Sequence, residues 1–87
     1  MEKAEAFKAA TETAQAFTKR PSNEELLKLY ALYKQATEGD IQGERPVGFD
    51  FKAIAKYDAW KSLSGLTNAQ ASDEYISLVN KLKESYA

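Results

Sequence analysis

The chain has 87 residues, and its 12 Lys and Arg residues nearly balance its 13 Asp and Glu residues, giving a formal net charge of −1. This length is enough for one small domain with a single core, and the balanced charge argues against a general nucleic-acid-binding surface. The sequence contains no cysteine and no histidine, which excludes disulfide bonds and removes the commonest metal ligand and the commonest general base.

The N-terminal segment does not have the pattern of a signal peptide, because it carries charge from the second residue onward. No uninterrupted apolar run approaches the ~18 residues that a membrane-spanning helix needs. We therefore expect a soluble, cytoplasmic protein with no stable membrane insertion.

The first helix is predicted over residues 3–18. Its apolar residues, which include Phe7 and Phe17, fall within a single narrow arc and suit docking against one partner helix. The Lys-Arg-Pro sequence at 19–21 is expected to end this helix, because basic side chains favour the carbonyl end of the helix dipole and proline cannot continue the helix.

The second helix is predicted over residues 22–38. Ser22 and Glu25 have the spacing of a capping box, and Gly39 stands where a left-handed C-terminal cap is expected. The start signal, the apolar face and the end signal all indicate the same helix. It is therefore the most strongly predicted element.

A long connection follows, from Gly39 to Asp50, with three glycines and a proline that exclude regular structure. When extended it covers up to about 40 Å, whereas the second helix is only about 25 Å long. The chain can therefore return along the bundle and start the third helix parallel to the second. This predicts an overhand crossover, with Ile41, Val47 and Phe49 as its apolar anchors.

The third helix is predicted over residues 51–63, capped by Asp50. Lys52 and Lys56 lie four residues apart on the side that carries Trp60, although two like charges at this spacing cost a helix about 0.2–0.5 kcal/mol. Two explanations are open: both ammonium groups extend past the core into water, or a bound anion turns the cost into a gain.

The fourth helix is predicted from a second capping box, Thr67 with Gln70, to about Tyr86. Tyr75 lies within its apolar stripe, so its hydroxyl must reach the edge of the bundle or find a hydrogen-bond partner. Four amphipathic helices with short, long and short connections predict an all-α, four-helix bundle of up-down-down-up order. We expect residues 1–87 to form a single domain.

Tyr30, Tyr33 and Lys34 form the most informative cluster of the sequence. On a helix, Tyr30 and Lys34 lie side by side. Taken alone, the cluster fits either the edge of an ordinary core or a place where a flat ring stacks and a phosphate is neutralised. With Lys52 and Lys56 at the start of the third helix, the group is both aromatic and cationic, which suits a nucleotide.

Enzymatic activity finds little support in the sequence. The glycines lack the spacing of a phosphate-binding loop, and no arrangement of Ser, Lys, Tyr or carboxylate side chains forms a nucleophile with its base. Binding, without a cofactor or a metal site, is the better-supported class of function.

Several segments resemble the acyl-CoA-binding protein family: LYALYKQATEGD at 29–40, GERP at 43–46, FK and KYDAW within 51–60, and YI at 75–76. The likeness covers essentially the whole chain, and the segments together are highly specific. The resemblance implies an up-down-down-up bundle that binds medium- and long-chain fatty acyl-CoA esters with high affinity and catalyses nothing. It further implies an intracellular carrier and pool former of lipid metabolism, a monomer whose partners are acyl-CoA and, transiently, enzymes that use it.

The resemblance also implies contacts with the head group of the ligand. Tyr30 and Lys34 would meet the phosphate-bearing ribose of coenzyme A, with Lys56 beside Lys34 at the 3′-phosphate. Tyr33 would stack on the adenine, and Lys52 would strengthen the positive field.

Further family positions are carried over in the same way. Tyr75 would contact the ligand from the fourth helix, and Ala31 and Leu32 belong to the block 30–34 that faces the site in this family. Two positions depart from the family pattern. Gln15 stands where the family often has a lysine and would offer a hydrogen bond without charge, and Tyr57 stands where it usually has tryptophan, which affects contacts with the acyl region.

The alternative from another class is a helical protein-interaction module, or the precursor of a secreted peptide ligand, that binds no thioester. Such a module would expose an apolar groove, and changing Lys52 or Lys56 would hardly matter. Hydrolysis of acyl-CoA is a weaker alternative, since no nucleophile is identifiable.

Overall fold

The structure, a computed structural model, describes the backbone of residues 2–87 and the side chains from residue 4 onward. It contains the helices α1 Glu2–Gln15, α2 Asn23–Glu38, α3 Phe51–Lys61 and α4 Asn68–Tyr86. Across residues 2–87 there is no β-strand, and no helix in this range combines the length and the apolar character needed to cross a bilayer. The all-α class predicted from the sequence is confirmed.

Hydrogen bonds between the elements establish the directions of α1, α2 and α4. Asn68, at the start of α4, donates from its side chain to the Gln35 carbonyl near the end of α2. Tyr86, at the end of α4, donates its hydroxyl to Glu25 near the start of α2, so these two helices are antiparallel. Thr18, just after α1, donates its backbone N–H to the Tyr86 carbonyl, which makes α1 parallel to α4.

The direction of α3 completes the topology. The Lys56 ammonium lies over the Tyr30 ring, and one turn later the Trp60 indole N–H donates to the Gln35 side chain near the end of α2. The α3 helix is therefore parallel to α2, which requires the long connection between them. The predicted up-down-down-up order with an overhand crossover is confirmed.

The core lies between α2 and α4, with α1 packed on α4 and α3 packed on α2. Its buried residues come from α1, α2 and α4: Ala10, Leu29, Leu32, Ala71, Tyr75, Val79 and Leu82. No residue of α3 is fully buried. The contact between α2 and α3 is therefore partly open, and this leaves room for a cavity between them.

Both predicted capping boxes are present. The Ser22 hydroxyl accepts from the Glu25 N–H at 3.1 Å, and the Glu25 carboxylate accepts from the Ser22 N–H at 2.9 Å. Thr67 and Gln70 repeat this arrangement with two hydrogen bonds of 3.0 Å. These reciprocal bonds satisfy backbone donors that a helix start would otherwise leave unpaired.

Gly39 ends α2 with a positive φ, but not in the predicted left-handed helical conformation. Its φ is 82° and its ψ is −154°, a combination that only glycine adopts without strain. Its N–H donates to the Gln35 carbonyl at 3.1 Å. The chain therefore leaves the helix in an extended direction and enters the crossover at once.

The first helix ends earlier than predicted. It stops at Gln15 rather than at residue 18, and no basic residue lies in its last turn, so the role predicted for Lys19 and Arg20 at the helix dipole is wrong. The reason is tertiary, because the backbone N–H groups of Thr18 and Lys19 both donate to the Tyr86 carbonyl, at 2.9 and 3.2 Å, instead of continuing the helix. The third helix also ends early, since a turn over 62–65 replaces its predicted end at residue 63.

The crossover is not held by the predicted apolar anchors. Val47 and Phe49 are 90% and 91% exposed, so their predicted role is wrong, whereas Ile41 is half-buried. Polar contacts hold the crossover instead. Arg45 donates two hydrogen bonds of 2.9 Å to the carboxylate of Asp58 on α3, and this two-pronged geometry fixes the direction of the side chains.

The start of the crossover is fixed by Gln35, whose side chain is completely buried. Its amide group donates to the Asp40 carboxylate at 2.7 Å and to the Leu66 carbonyl at 2.8 Å, while its oxygen accepts from the Trp60 indole at 3.1 Å. Asp40 also accepts from the Gly65 N–H at 2.8 Å. This buried junction ties the end of α2 to α3 and to the α3–α4 turn, and so sets α3 beside α2.

Candidate ligand-binding site

Two of the open cavities along α2 share Leu26 and Tyr30 as lining residues. The α2–α3 cavity has a volume of about 500 Å³. Its other lining residues are Arg20, Asn23, Leu27, Phe51, Lys52, Ala55 and Lys56. The α1–α2–α4 cavity has a volume of about 420 Å³. Its other lining residues are Thr11, Ala14, Gln15, Leu29, Tyr33 and Tyr75.

Ammonium groups and aromatic rings are paired along α2. The Lys56 Nζ lies 5.2 Å from the centre of the Tyr30 ring, and the Lys34 Nζ lies 5.5 Å from the centre of the Trp60 ring. Such contacts hold an ammonium group at the face of a ring. Lys34 also donates to the Glu38 carboxylate at 2.6 Å, and this hydrogen bond raises the pKa of Lys34. The Lys34 side chain therefore stays charged at neutral pH.

Phe7, Tyr33 and Tyr75 form an aromatic cluster that joins α1, α2 and α4. Phe7 stacks on Tyr33, with 5.7 Å between the ring centres and 17° between the planes. The Tyr75 ring centre lies 5.1 Å from that of Phe7 and 6.1 Å from that of Tyr33. Tyr33 remains 42% exposed, so part of it is open to a further stacking partner.

Tyr75 is the buried member of this cluster. Burial, and to a smaller extent the nearby Tyr33 phenol, raises the pKa of Tyr75. Its hydroxyl therefore keeps its proton at neutral pH. Because Tyr75 lines the α1–α2–α4 cavity, it can donate a hydrogen bond to a polar ligand atom there.

The structure brings most of the sequence-predicted residues to these cavities. The α2–α3 cavity is lined by Tyr30, Lys52 and Lys56. The α1–α2–α4 cavity is lined by Gln15, Tyr30, Tyr33 and Tyr75. Lys34 lines neither cavity and lies one turn beyond Tyr30, between Glu38 and Trp60. Within the described part of the chain, no cluster of three or more carboxylates is arranged to hold a metal ion.

Ala31 and Leu32 lie apart from these residues. They are 2% and 1% exposed, and neither lines the α2–α3 or the α1–α2–α4 cavity. Leu32 belongs to the central core. A contribution of these two residues to binding stays a prediction, and it would act through the position of the helix rather than through side-chain contact.

Arg20 was not predicted from the sequence to belong to the site. It lines the α2–α3 cavity together with Lys52 and Lys56, and its guanidinium donates to the Asn23 side chain at 3.1 Å. Its place follows from the early end of α1, which frees the next segment to bend across the start of α2. In the sequence, Pro21 indicates this bend, because a proline disfavours helical conformation at the residue before it.

Tyr57, one of the two departures from the family pattern, lines neither cavity. Its hydroxyl donates to the Gly43 carbonyl in the crossover, at 3.1 Å. This hydrogen bond lies beside the pair formed by Arg45 and Asp58, so Tyr57 helps to attach the crossover to α3.

Comparison with known proteins decides the family. A family model described as Acyl CoA binding protein matches residues 4–79. This chain belongs to the acyl-CoA-binding protein family. The acyl-CoA-binding protein of Dictyostelium discoideum is 43% identical over 81 residues, which are 93% of this chain and 96% of that protein. The acyl-CoA-binding protein homolog of Drosophila melanogaster is 45% identical over 83 residues, which are 95% of this chain and 96% of that protein.

Solved structures of the acyl-CoA-binding protein family share the fold. The crystal structure of Oryza sativa Acyl-CoA-Binding Protein 2 superposes with a TM-score of 0.89 at 40% identity, covering 94% of this chain and 91% of that one. The solution structure of the yeast protein gives a TM-score of 0.74 at 42% identity, with coverage of 92% and 93%. The family resemblance drawn from the sequence is confirmed. Membership supports acyl-CoA binding, and the family is one of binding proteins rather than enzymes.

Proposed function

We propose that residues 1–87 form a single acyl-CoA-binding domain that binds medium- and long-chain fatty acyl-CoA esters with high affinity. The protein acts as a cytoplasmic carrier and pool former of lipid metabolism. The observation that carries this proposal is the meeting of cations, aromatic rings and apolar walls along α2. An acyl-CoA has the matching parts, since a charged nucleotide is joined to an alkyl chain.

The head group would be bound by the cations and rings of α2 and α3. Tyr33 offers an exposed ring on which the adenine stacks, while Lys34, Lys56 and Tyr30 receive the ribose and its 3′-phosphate. Lys52 adds positive potential, and Arg20 adds a further positive charge at the α2–α3 cavity. Each charge-assisted hydrogen bond contributes about 1.5–3 kcal/mol, so two or three of them supply only part of a high affinity.

The acyl chain would supply the rest of the affinity. The α2–α3 cavity has apolar walls formed by Leu26, Leu27 and Ala55, and Phe51 at its border is 70% exposed. An alkyl chain laid against these side chains loses its contact with water, which is worth about 0.8 kcal/mol per buried CH₂. The acyl chain would also cover Phe51, which is largely exposed without a ligand.

Two polar residues of the α1–α2–α4 cavity complete the proposed contacts. Tyr75 would donate a hydrogen bond from its protonated hydroxyl, and Gln15 would add a weaker, uncharged one. The protein would act as a monomer, without cofactor, metal or catalysis, and would release its ligand through transient contacts with enzymes that use acyl-CoA.

Calorimetric titration with palmitoyl-CoA, coenzyme A and palmitate tests this function. We expect palmitoyl-CoA to bind far more tightly than either part alone, and affinity to rise with acyl length. Equal affinity for coenzyme A and palmitoyl-CoA would contradict the proposal. A helical protein-interaction module would show no preference for the thioester at all.

A further inference from the structure

Glu38 is the last residue of α2, and its carboxylate lies directly against the head-group site. The Lys34 ammonium donates to it at 2.6 Å. The Lys34 side chain is 30% exposed and that of Glu38 is 53% exposed, so both are open to an arriving ligand. The cation that the proposed function assigns to the ligand phosphate is therefore already paired with an anion.

Helix stability does not account for this carboxylate. Glu38 adds negative charge at the carbonyl end of α2, where the helix dipole favours positive charge, and no basic residue lies in that last turn. The order of the pair, with lysine four residues before glutamate, is the less favourable of the two possible orders on a helix. The Lys34–Glu38 pair thus contributes little to folding, and Glu38 in particular opposes the dipole.

The charge of Glu38 bears instead on what Lys34 can bind. A phosphate that approaches Lys34 meets the carboxylate both as a competitor for the ammonium protons and as a like charge a few ångströms away. A ligand that brings no phosphate to Lys34 meets neither effect. The Trp60 ring, 5.5 Å from the Lys34 Nζ, is a second contact that does not depend on the charge of Glu38.

We propose that Glu38 is a specificity-determining residue that competes with the 3′-phosphate of the ligand for Lys34, weakening binding and easing release of the head group. This inference rests on the proposed function. Its distinguishing feature is selectivity, because the competition acts only on ligands that carry the 3′-phosphate. Dephospho-coenzyme A, which lacks that group, would be bound equally well with and without the carboxylate.

Calorimetry of the full chain with coenzyme A and with dephospho-coenzyme A tests the proposal. We expect Glu38→Gln to tighten coenzyme A binding by about three- to five-fold, in line with the strength of an exposed ion pair, and to leave dephospho-coenzyme A unchanged. The matched control is Glu84→Gln. Glu84 lies near the end of α4, beside the start of α2, so this variant removes the same charge far from Lys34. It should change the affinity for neither ligand. In a Lys34→Met background there is no ammonium group to compete for, so the effect of Glu38→Gln on coenzyme A affinity should be clearly smaller.

Several outcomes would overturn the inference. If Glu38→Gln weakens coenzyme A binding, the carboxylate positions Lys34 rather than competing for it. If Glu38→Gln raises the affinity for both ligands equally, or by no more than Glu84→Gln does, the effect comes from net charge alone. If wild-type protein fails to bind palmitoyl-CoA, the proposed function itself has failed. If wild-type protein binds palmitoyl-CoA but Glu38→Gln does not raise coenzyme A affinity selectively, only the role of Glu38 is contradicted.

Discussion

Lys34 is held by contacts within the fold, yet it lies outside the core and stays open to solvent. It is in contact with the Trp60 ring and the Glu38 carboxylate, and both contacts leave it partly exposed. Its position beside Tyr30 follows from helix periodicity alone, so the sequence predicted it. The contact with Trp60 depends on the packing of α3 on α2 and was not predicted.

Lys34→Ala should weaken palmitoyl-CoA binding by at least ~1.5 kcal/mol, because it would remove the proposed charge-assisted hydrogen bond to the ligand phosphate. The fold should remain intact, since the lysine is not part of the core. Calorimetry together with thermal unfolding measures both effects. Lys28→Ala is the matched control, because Lys28 is an exposed lysine of the same helix that lines neither site cavity. An equal loss of affinity in both variants would contradict a specific role for Lys34.

At the scale of the elements, the crossover is the part of the chain that the sequence described least well. Its length and its glycines predicted the topology, because only a long connection can join two parallel helices. The sequence did not reveal what holds it. Val47 and Phe49, which the sequence predicts as apolar anchors, face solvent. Gln35, which hydropathy alone places at a surface, is completely buried.

Replacing Gln35 by Leu should destabilise the protein by about 2–3 kcal/mol, because the Leu66 carbonyl and the Asp40 carboxylate lose a donor in a confined site. Val47→Ser, in contrast, should change the free energy of unfolding by no more than ~0.5 kcal/mol, as is usual for exposed positions. Chemical denaturation of the two variants measures this difference. A larger loss from Val47→Ser than from Gln35→Leu would restore the apolar-anchor model.

At the scale of the whole molecule, the four helices form a flat body with principal extents of 37 × 29 × 14 Å. The shortest extent corresponds to two packed layers of helices, since helix axes pack about 8–10 Å apart and Cα atoms lie about 2.3 Å from each axis. Within the described chain, α3 packs on α2 and makes no comparable contact with α1 or α4. This flatness leaves α2 with a cavity on either side, so a single helix can hold both the core and the site.

The stability of the whole molecule should depend on pH at both extremes. Hydrogen bonds from Tyr86, from Gly65 and from Arg45 lower the pKa of Glu25, Asp40 and Asp58, respectively. A carboxyl group whose pKa is lowered by folding binds protons more readily when unfolded. Its stabilising contribution is therefore complete above the unfolded pKa of about 4 and is lost as the pH falls through the folded value.

The tyrosines give the opposite dependence at high pH. Hydrogen bonding to Glu25 raises the pKa of Tyr86, and burial raises that of Tyr75. The contribution of these two tyrosines to the free energy of unfolding is therefore present below the unfolded pKa of about 10. It is lost as the pH rises through the folded value. Urea midpoints measured from pH 3 to pH 11 should form a plateau near neutrality with a fall on each side. Tyr86→Phe should make the fall in urea midpoint less steep on both the acidic and the alkaline side. A midpoint that stays constant from pH 7 to pH 3 would contradict the lowered carboxyl pKa values.

What the sequence determined by itself is local or periodic: both capping boxes, the face shared by Tyr30 and Lys34, and a crossover long enough to make α2 and α3 parallel. These features depend on residues a few positions apart, whose geometry a helix or an extended chain dictates. The tertiary structure alone decided where α1 ends, where Arg20 lies and why Gln35 is buried. The end of α1 and the burial of Gln35 depend on partners far along the chain, the Tyr86 and Leu66 carbonyls. Arg20 lines a cavity only because α3 packs beside the start of α2. No local propensity reports on a hydrogen-bond partner or a cavity that folding brings close.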